Sequence, residues 1–358
     1  MVGERMKKRV TIHDIAKLAG VSSATVSRVL SNSGYPVSDK VRCRIQELAD
    51  ELHYIPNQIG KQLKTDINRT IGVIIPSISN PFYAAATLGI EETARKNGYQ
   101  VFLCNSRQDG RLEEAYLQTL FEKQVKGVIL SSISGSRDPI ERLIRLGLQL
   151  VAIDQPLDVT EAVQIGFDYR QGGRMAALHL IGQGHRAISY VTASLDRPSR
   201  RQIYEGFTEA LHEAGLSLPE GYLQITEESV LRESAEGSFE CENGRALARK
   251  LLALPARPTA IFACNDMTAF GVLQQCAAEG VSVPDDVSVM GFDDILFSSM
   301  VSPGLTTIKQ PDYEMGRLAC EVLLARLDES GLEEKQEEAG QKLLKPRLIE
   351  RASVKRLD

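Results

Sequence analysis

The sequence predicts an N-terminal helix-turn-helix head of three helices, a hinge helix, and then a two-lobed, doubly wound α/β body. Three observations predict it. A helix-turn-helix pattern occupies Thr11 to Leu30, short apolar runs alternate with helical stretches from Ile71 onward, and the charge changes sign between the two parts. Residues 1–64 hold 11 Lys and Arg against 6 Asp and Glu, whereas the other 294 residues hold 31 against 41. A basic head on an acidic body is the electrostatic footprint of a domain that meets nucleic-acid phosphates.

The head follows from local chemistry. Thr11 precedes Asp14 by three residues, the spacing at which each side chain accepts the other's backbone N–H and starts a helix. Ile12, Ile15, Ala16 and Ala19 then recur at helical spacing. Gly20 suits a left-handed cap, and Ser22 N-caps a second helix after a very tight turn. In that second helix Val26, Val29 and Leu30 form the inward stripe, leaving Ser23, Ala24, Ser27 and Arg28 outward. A face of small residues enters a major groove deeply, where an arginine matches guanine O6 and N7 in a bidentate pair. His13, in the first helical turn, reads as a partner for a backbone phosphate. The third helix starts after Ser38 and closes the core with Val41, Ile45, Leu48, Ala49 and Leu52.

Pro56 ends that helix, and Asn57 caps a run from Gln58 to Lys64 that is too short to be stable alone. Gly60 within it costs about 1 kcal/mol relative to alanine. The reading is a hinge helix that orders on DNA, with Leu63 beside Lys64 as a minor-groove wedge. The residues expected at DNA are Thr11, His13, Ser22, Ser23, Ala24, Thr25, Ser27, Arg28, Tyr54, Asn57, Gln58, Leu63 and Lys64.

The body shows eight apolar runs: Ile71 to Pro76, Val101 to Cys104, Gly127 to Leu130, Leu150 to Asp154, Val163 to Asp168, Ile188 to Val191, Ala260 to Ala263 and Val287 to Gly291. Alternation with helical stretches predicts parallel sheets covered by helices. About 290 residues exceed what one such sheet needs, so two lobes with a cleft follow. The expected division is a head at 1–56, a hinge at 57–66 and a body at 67–358, its lobes interleaved and divided mainly near 155–163. A solvated acidic loop around Glu329 to Lys342 precedes a last strand at Leu343 to Ile349.

Ligands of open α/β sheets sit outside the carboxyl ends of the strands. The candidates there are Ser79, Asn80, Phe82 and Tyr83 in the first lobe, Asp154 near the crossover, and Arg197, Ser199, Asn265 and Asp293 in the second. With Phe239 added, polar groups of both charges beside aromatic rings suit a small polyhydroxylated molecule. Asp266, starting the helix after Asn265, reads as a cap.

The chain resembles the lac repressor (LacI/GalR) family of bacterial transcription regulators over nearly its whole length. The most specific marks are Thr25-Val-Ser-Arg-Val-Leu30, Tyr54-Ile-Pro-Asn57, Pro76-Ser-Ile-Ser-Asn-Pro-Phe-Tyr83, Asn265-Asp266, Gly291-Phe-Asp293, Leu305-Thr-Thr-Ile-Lys-Gln310 and Pro346-Arg-Leu-Ile-Glu-Arg351. The resemblance implies a periplasmic-binding-protein-like effector domain. It also implies a homodimer on a pseudo-palindromic operator in double-stranded DNA, and a sugar-like or nucleobase-like effector contacted by Phe82, Tyr83, Arg197, Phe239, Asn265 and Asp293. Two departures stand out. Ile203 occupies the place where relatives commonly carry an effector-binding arginine, with Arg200 and Arg201 nearby, and the stretch Thr226 to Gly237 before Phe239 is longer.

Catalytic signatures are missing from the sequence: no phosphate-binding loop, no Gly-x-Gly-x-x-Gly and no Gly-x-Ser-x-Gly elbow. The five histidines are dispersed and the six cysteines form no Cys-x-x-Cys pair, so neither a metal nor a cofactor is expected, and the thiols read as reduced. No run approaches the length of a membrane span and the start, Met1 to Arg9, is charged, which points to the cytoplasm. Met6 opens a motif-like segment and is an alternative start. The leading expectation is a ligand-controlled repressor and not an enzyme. The alternatives are a regulator using a nucleobase or a phosphoprotein corepressor, a solute-binding protein, and a nucleotide-dependent enzyme with a fused head.

Overall fold

The computed structural model describes residues 10–31, 35–54, 68–134, 137–226, 239–328 and 342–357. The hinge residues Asn57, Gln58, Leu63 and Lys64 lie outside them, as do most of the Thr226 to Gly237 stretch and of the acidic loop before Lys342. The chain divides into two compact units, with the change at Asn68 and Arg69.

The head comprises α1 (Ile12–Ala19), α2 (Ser23–Leu30) and α3 (Asp39–Glu51). The reciprocal cap forms: Thr11 N donates to Asp14 Oδ2 at 2.8 Å, and Asp14 N donates to Thr11 Oγ1 at 3.4 Å. Gly20 takes the left-handed conformation at φ 66°, and Ser22 Oγ accepts Thr25 N at 3.1 Å. Ile15, Ala16, Val26, Val29, Ile45, Leu48 and Ala49 form the buried core, with Leu30, Val41, Leu52 and Tyr54 half-buried around it.

The body holds two six-stranded sheets. In chain order the first lobe opens with β1 (Thr70–Ile75), α4 (Pro81–Lys96), β2 (Gln100–Asn105), α5 (Gly110–Glu122), β3 (Gly127–Leu130), α6 (Asp138–Arg145), β4 (Gln149–Ile153) and β5 (Val163–Phe167). The second lobe follows with α7 (Tyr169–Gly182), β6 (Ile188–Thr192), α8 (Pro198–Glu213), β7 (Leu223–Ile225), α9 (Phe239–Leu252), β8 (Ala260–Ala263), α10 (Asp266–Ala278), β9 (Ser288–Asp293) and β10 (Thr306–Lys309). After these come α11 (Asp312–Leu327), β11 (Lys342–Leu344) and β12 (Arg347–Ile349). The spatial orders are β11-β5-β4-β3-β1-β2 and β12-β10-β9-β8-β6-β7. Pairing is parallel except for β12, which runs antiparallel to β10. Strands buried on both faces explain the continuous apolar runs: Ile71, Val73, Ile74 and Ile75 are all buried in β1.

Three sequence expectations need correction. The first lobe does not end within 155–163, because β5 pairs with β4, Val151 facing Val163 and Ile153 facing Ile165. The loop after Pro156 returns to the same sheet, and the crossing comes after Phe167. The last strand splits at Lys345-Pro346 into two short ones, β11 in the first sheet and β12 in the second. Strands β7 and β10 were not anticipated. Apolar periodicity marks where a strand lies but carries no information about which sheet receives it.

Close helix pairs cover these sheets, and each pair carries reciprocal glycines. A Cβ on Gly206 of α8 would lie 1.9 Å from the carbonyl oxygen of Arg170 in α7, and one on Gly173 of α7 would lie 2.0 Å from that of Ile203. The same arrangement joins Gly244 and Gly271 of α9 and α10, and Gly89 and Gly316 of α4 and α11. The last pair places α11 on the first lobe, so the chain crosses back before it. Gly206→Ala should destabilise the body by about 3 kcal/mol, since the obstacle is backbone that cannot step aside. Gly182→Ala, with no heavy atom within 4 Å of the added methyl, should be neutral. Equal urea midpoints for the two variants would contradict the close-packing argument.

Candidate functional site

Two sites emerge, one in each unit. On the head, α1 and α2 meet at their N-termini: His13 Nδ1 and Ser23 Oγ lie 2.9 Å apart, and Ser22 Oγ and Thr25 Oγ1 also lie 2.9 Å apart. Thr11, His13, Ser22, Ala24 and Arg28 are exposed, and Ser23, Thr25 and Ser27 are half-exposed. The outward face of α2 therefore presents small polar groups and one guanidinium. The Arg28 guanidinium lies over the Tyr35 ring, 4.1 Å from its centroid, a contact the sequence reading did not include. Such stacking limits the wandering of a long side chain. Tyr54 is half-buried against the head core, with its N–H donating to Ala49 O at 2.8 Å.

In the body, a cavity of about 1140 Å³ opens between the carboxyl ends of the two sheets. Ser79, Asn80, Tyr83, Arg197 and Phe239 line it, and Phe82, Asp154, Ser199, Asn265 and Asp293 meet at its inner end. The structure thus brings together every residue that strand-end reasoning proposed.

Asp154 is the hub. It ends β4 in a left-handed conformation, φ 63°, that aims its carboxylate inward. Oδ2 accepts from Tyr83 OH at 2.8 Å, Gln155 Nε2 at 2.8 Å and Ser131 Oγ at 3.1 Å, while Oδ1 accepts from Tyr169 OH. Burial and then the charge of Asp154 push both tyrosine hydroxyls well above their ordinary pKa, so they remain donors.

Three polar bridges tie the lobes together. Gln155 Nε2 donates to Ser199 Oγ at 2.8 Å. Tyr169 OH of the second lobe donates to Asp154 Oδ1 of the first and lies 3.3 Å from Gln310 Oε1, whose amide nitrogen donates to Asp293 Oδ1 at 2.6 Å. Glu240 accepts from Asn80 Nδ2 at 3.3 Å and from an Arg200 guanidinium nitrogen at 3.1 Å. Burial, reinforced by the negative charges of Asp266 and Glu240, raises the Asp293 carboxyl well above the ordinary range.

Asn265 caps α10 by accepting Thr268 N at 2.8 Å. Asp266 is therefore not the cap that the sequence suggested. It is fully buried and accepts Ile295 N at 3.0 Å and the hydroxyls of Ser298 and Thr307 at 2.6 Å each. Desolvation raises its pKa to about 7.

Gln155, Tyr169, Arg200, Glu240 and Gln310 were missed. Arg200 had a signal: α8 starts with Pro198, and its buried Ile203, Phe207 and Ala210 place position 200 on the same inward stripe. Arg200 is accordingly buried, whereas Arg201 is exposed and donates to Leu195 O and Asp196 O. Ile203 lines the inner cavity with an apolar surface.

The six cysteines are free thiols. His185 is engaged with Thr259 Oγ1 at 2.9 Å and Lys355 O at 3.1 Å. Among the described residues, no helix is long and apolar enough to cross a membrane.

Comparison with known proteins joins the two sites. Residues 11–57 match the model of the bacterial regulatory proteins of the lacI family, and residues 177–354 match that of the periplasmic binding protein-like domain. The ribose operon repressor of Escherichia coli strain K12 is 35% identical over 348 residues, covering 96% of this chain and 99% of that protein. The HTH-type transcriptional repressor PurR of Aliivibrio salmonicida is 33% identical over 348 residues, covering 97% of this chain and 99% of that protein. Among solved structures, the lac repressor dimer bound to operator superposes with TM-score 0.79 at 26% identity, covering 97% of this chain and 100% of that one. A LacI family regulator of Enterococcus faecium with bound ribose gives TM-score 0.69 at 30% identity over 81% of this chain and 100% of that one. With a grooved-helix head, a doubly wound body and full-length relatives in agreement, this chain belongs to the lacI family of bacterial transcription regulators.

Proposed function

We propose that the protein is a cytoplasmic repressor that binds a pseudo-palindromic operator as a homodimer and is released or recruited by a sugar in the cleft. The observation that carries the reading is the cleft floor. Two buried carboxylates, Asp154 and Asp293, face it from opposite lobes, with Phe82, Tyr83 and Phe239 supplying rings. Carboxylates that accept hydroxyl protons, with a ring for the apolar face, are the usual means of holding a polyol. The ribose-bound relative supports the same class.

On DNA, Arg28 reads guanine while Thr11, His13, Ser22, Ser23, Thr25, Ser27 and Tyr54 fix register, and Ala24 meets thymine methyls. Asn57, Gln58 and Lys64 continue the contact, and Leu63 supplies the minor-groove wedge. Leu88, Phe102 and Leu103 on the first lobe, and Leu296, Phe297 and Met300 on the second, are large exposed apolar residues that suit a second copy of the chain.

Mechanistically, the three bridges define one lobe arrangement. A ligand that takes over the groups at Asp293, Gln310, Glu240 and Asn80 changes the balance between arrangements, provided it binds them unequally. Selection of bound sequences from a random duplex pool tests the DNA reading. A two-fold symmetric site with a deformable central step is expected, and no enrichment in either the presence or the absence of sugars would contradict it.

A further inference from the structure

Arg28 sits in the final turn of α2, the one long side chain on its outward face. Side chains three and four residues apart brace one another on a helix. Of the described partners at that spacing, Ala24 carries only a methyl group, Thr25 Oγ1 lies 2.9 Å from Ser22 Oγ, and Ser31 is already the C-cap. Ser31 is itself turned back on the helix, its N–H donating to Ser27 O at 2.9 Å and its hydroxyl to Arg28 O at 3.3 Å. These three residues therefore do little to fix a long guanidinium side chain.

Tyr35, from the segment between α2 and α3, meets it instead. The Arg28 guanidinium lies over the Tyr35 ring, 4.1 Å from its centroid. The ring is carried on a restrained stretch of chain. Pro36 keeps the residue before it out of the helical region, Val37 is half-buried against the head core, and the carbonyl of Ser38 accepts Val41 N and Arg42 N at 3.0 Å each as α3 begins. Tyr35 is 46% exposed, so the stack forms on the surface of the head and not in its core. A guanidinium stacks by its face and pairs with guanine by the N–H groups along its edge, so the two contacts do not compete.

We propose, resting on the DNA reading of the head, that Tyr35 is the positioning residue of base recognition. Its ring holds Arg28 in the orientation in which two N–H donors meet guanine O6 and N7. An unbraced arginine loses rotamer freedom when it pairs with a base, and stacking removes part of that freedom before DNA arrives. Tyr35 acts through Arg28, so its contribution is confined to the base pair that Arg28 reads. A stack of this kind at an exposed site contributes about twofold to fivefold, and a two-fold symmetric operator presents it twice, for about fivefold to 30-fold in all. A ring that merely packed the loop would be indifferent to the base.

The test measures the full-length protein on two fluorescent duplexes, the site selected from the random pool and the same site with the base pair read by Arg28 replaced in both halves. Tyr35→Ala should lose about fivefold to 30-fold on the first and less than about twofold on the second, so base preference shrinks while the salt dependence stays the same. Tyr35→Phe, which keeps the π face, should stay within about twofold on both duplexes, and Tyr35→Leu, which keeps apolar bulk without a π face, should follow Tyr35→Ala. In an Arg28→Ala background, Tyr35→Ala should add less than about twofold, which a double-mutant cycle reads directly. Equal losses on both duplexes, additive losses in the cycle, a Tyr35→Leu variant that discriminates like the native chain, or a Tyr35→Ala variant of undiminished affinity overturns the positioning role and leaves the guanine reading of Arg28 standing. Arg28→Ala with an undiminished base preference overturns both.

Discussion

Arg28→Ala should lower affinity for the operator by about 30-fold to about 20,000-fold. A bidentate arginine–guanine pair contributes about 1–3 kcal/mol of discrimination, and a dimer on a symmetric site loses two of them. The loss should fall on one symmetric base pair, where all four bases become nearly equivalent, while non-specific binding changes little. The geometry behind this expectation is specific: Arg28 is the one long side chain on the outward face of α2, among Ser23, Ala24 and Ser27, and its guanidinium is stacked on Tyr35. A uniform loss on all sequences, with a shallower salt dependence, would instead make Arg28 a phosphate contact.

Asp293→Asn should leave basal operator binding intact and remove the response to effector. The amide keeps the shape and the oxygen that accepts from Gln310 Nε2 at 2.6 Å, so the link through Gln310 to Tyr169, which donates to Asp154 of the first lobe, can persist. What disappears is the capacity to become a carboxylate that accepts two ligand hydroxyls. Losing charge-assisted hydrogen bonds of this kind costs about 3 kcal/mol, near 100-fold in affinity. Calorimetry on the variant checks the first figure, and operator binding with and without sugar checks the second. Retention of full sugar affinity would move the binding role from Asp293 to Asp154 and its tyrosines.

The head was legible almost to the residue because its determinants are local. The Thr11 and Asp14 cap, the Gly20 turn and the Ser22 cap each depend on groups within four positions of one another. Strand positions in the body were legible for a similar reason, since burial on both faces leaves continuous apolar runs. The assignment of β5 to the first sheet and the splitting of the last strand were not, because both are decided by pairing between segments distant in the chain. The same division holds at the cleft. Asp154, Asn265 and Asp293 follow from their places at strand ends. Gln155, Tyr169, Glu240 and Gln310 act through partners across the cleft, which no spacing in the sequence encodes. Arg200 lies between these cases, readable only once Pro198 is taken as the start of its helix.

The central claim is that ligand in the cleft and operator on the head are thermodynamically linked. The most direct measurement is a titration of fluorescent operator with the full-length protein at several fixed concentrations of the sugar that binds it, paired with calorimetry of that ligand on free and operator-bound protein. Linkage requires the two changes to be equal in size, and a factor of at least ten in each is the predicted result. Operator affinity independent of a ligand that demonstrably fills the cleft would contradict the account.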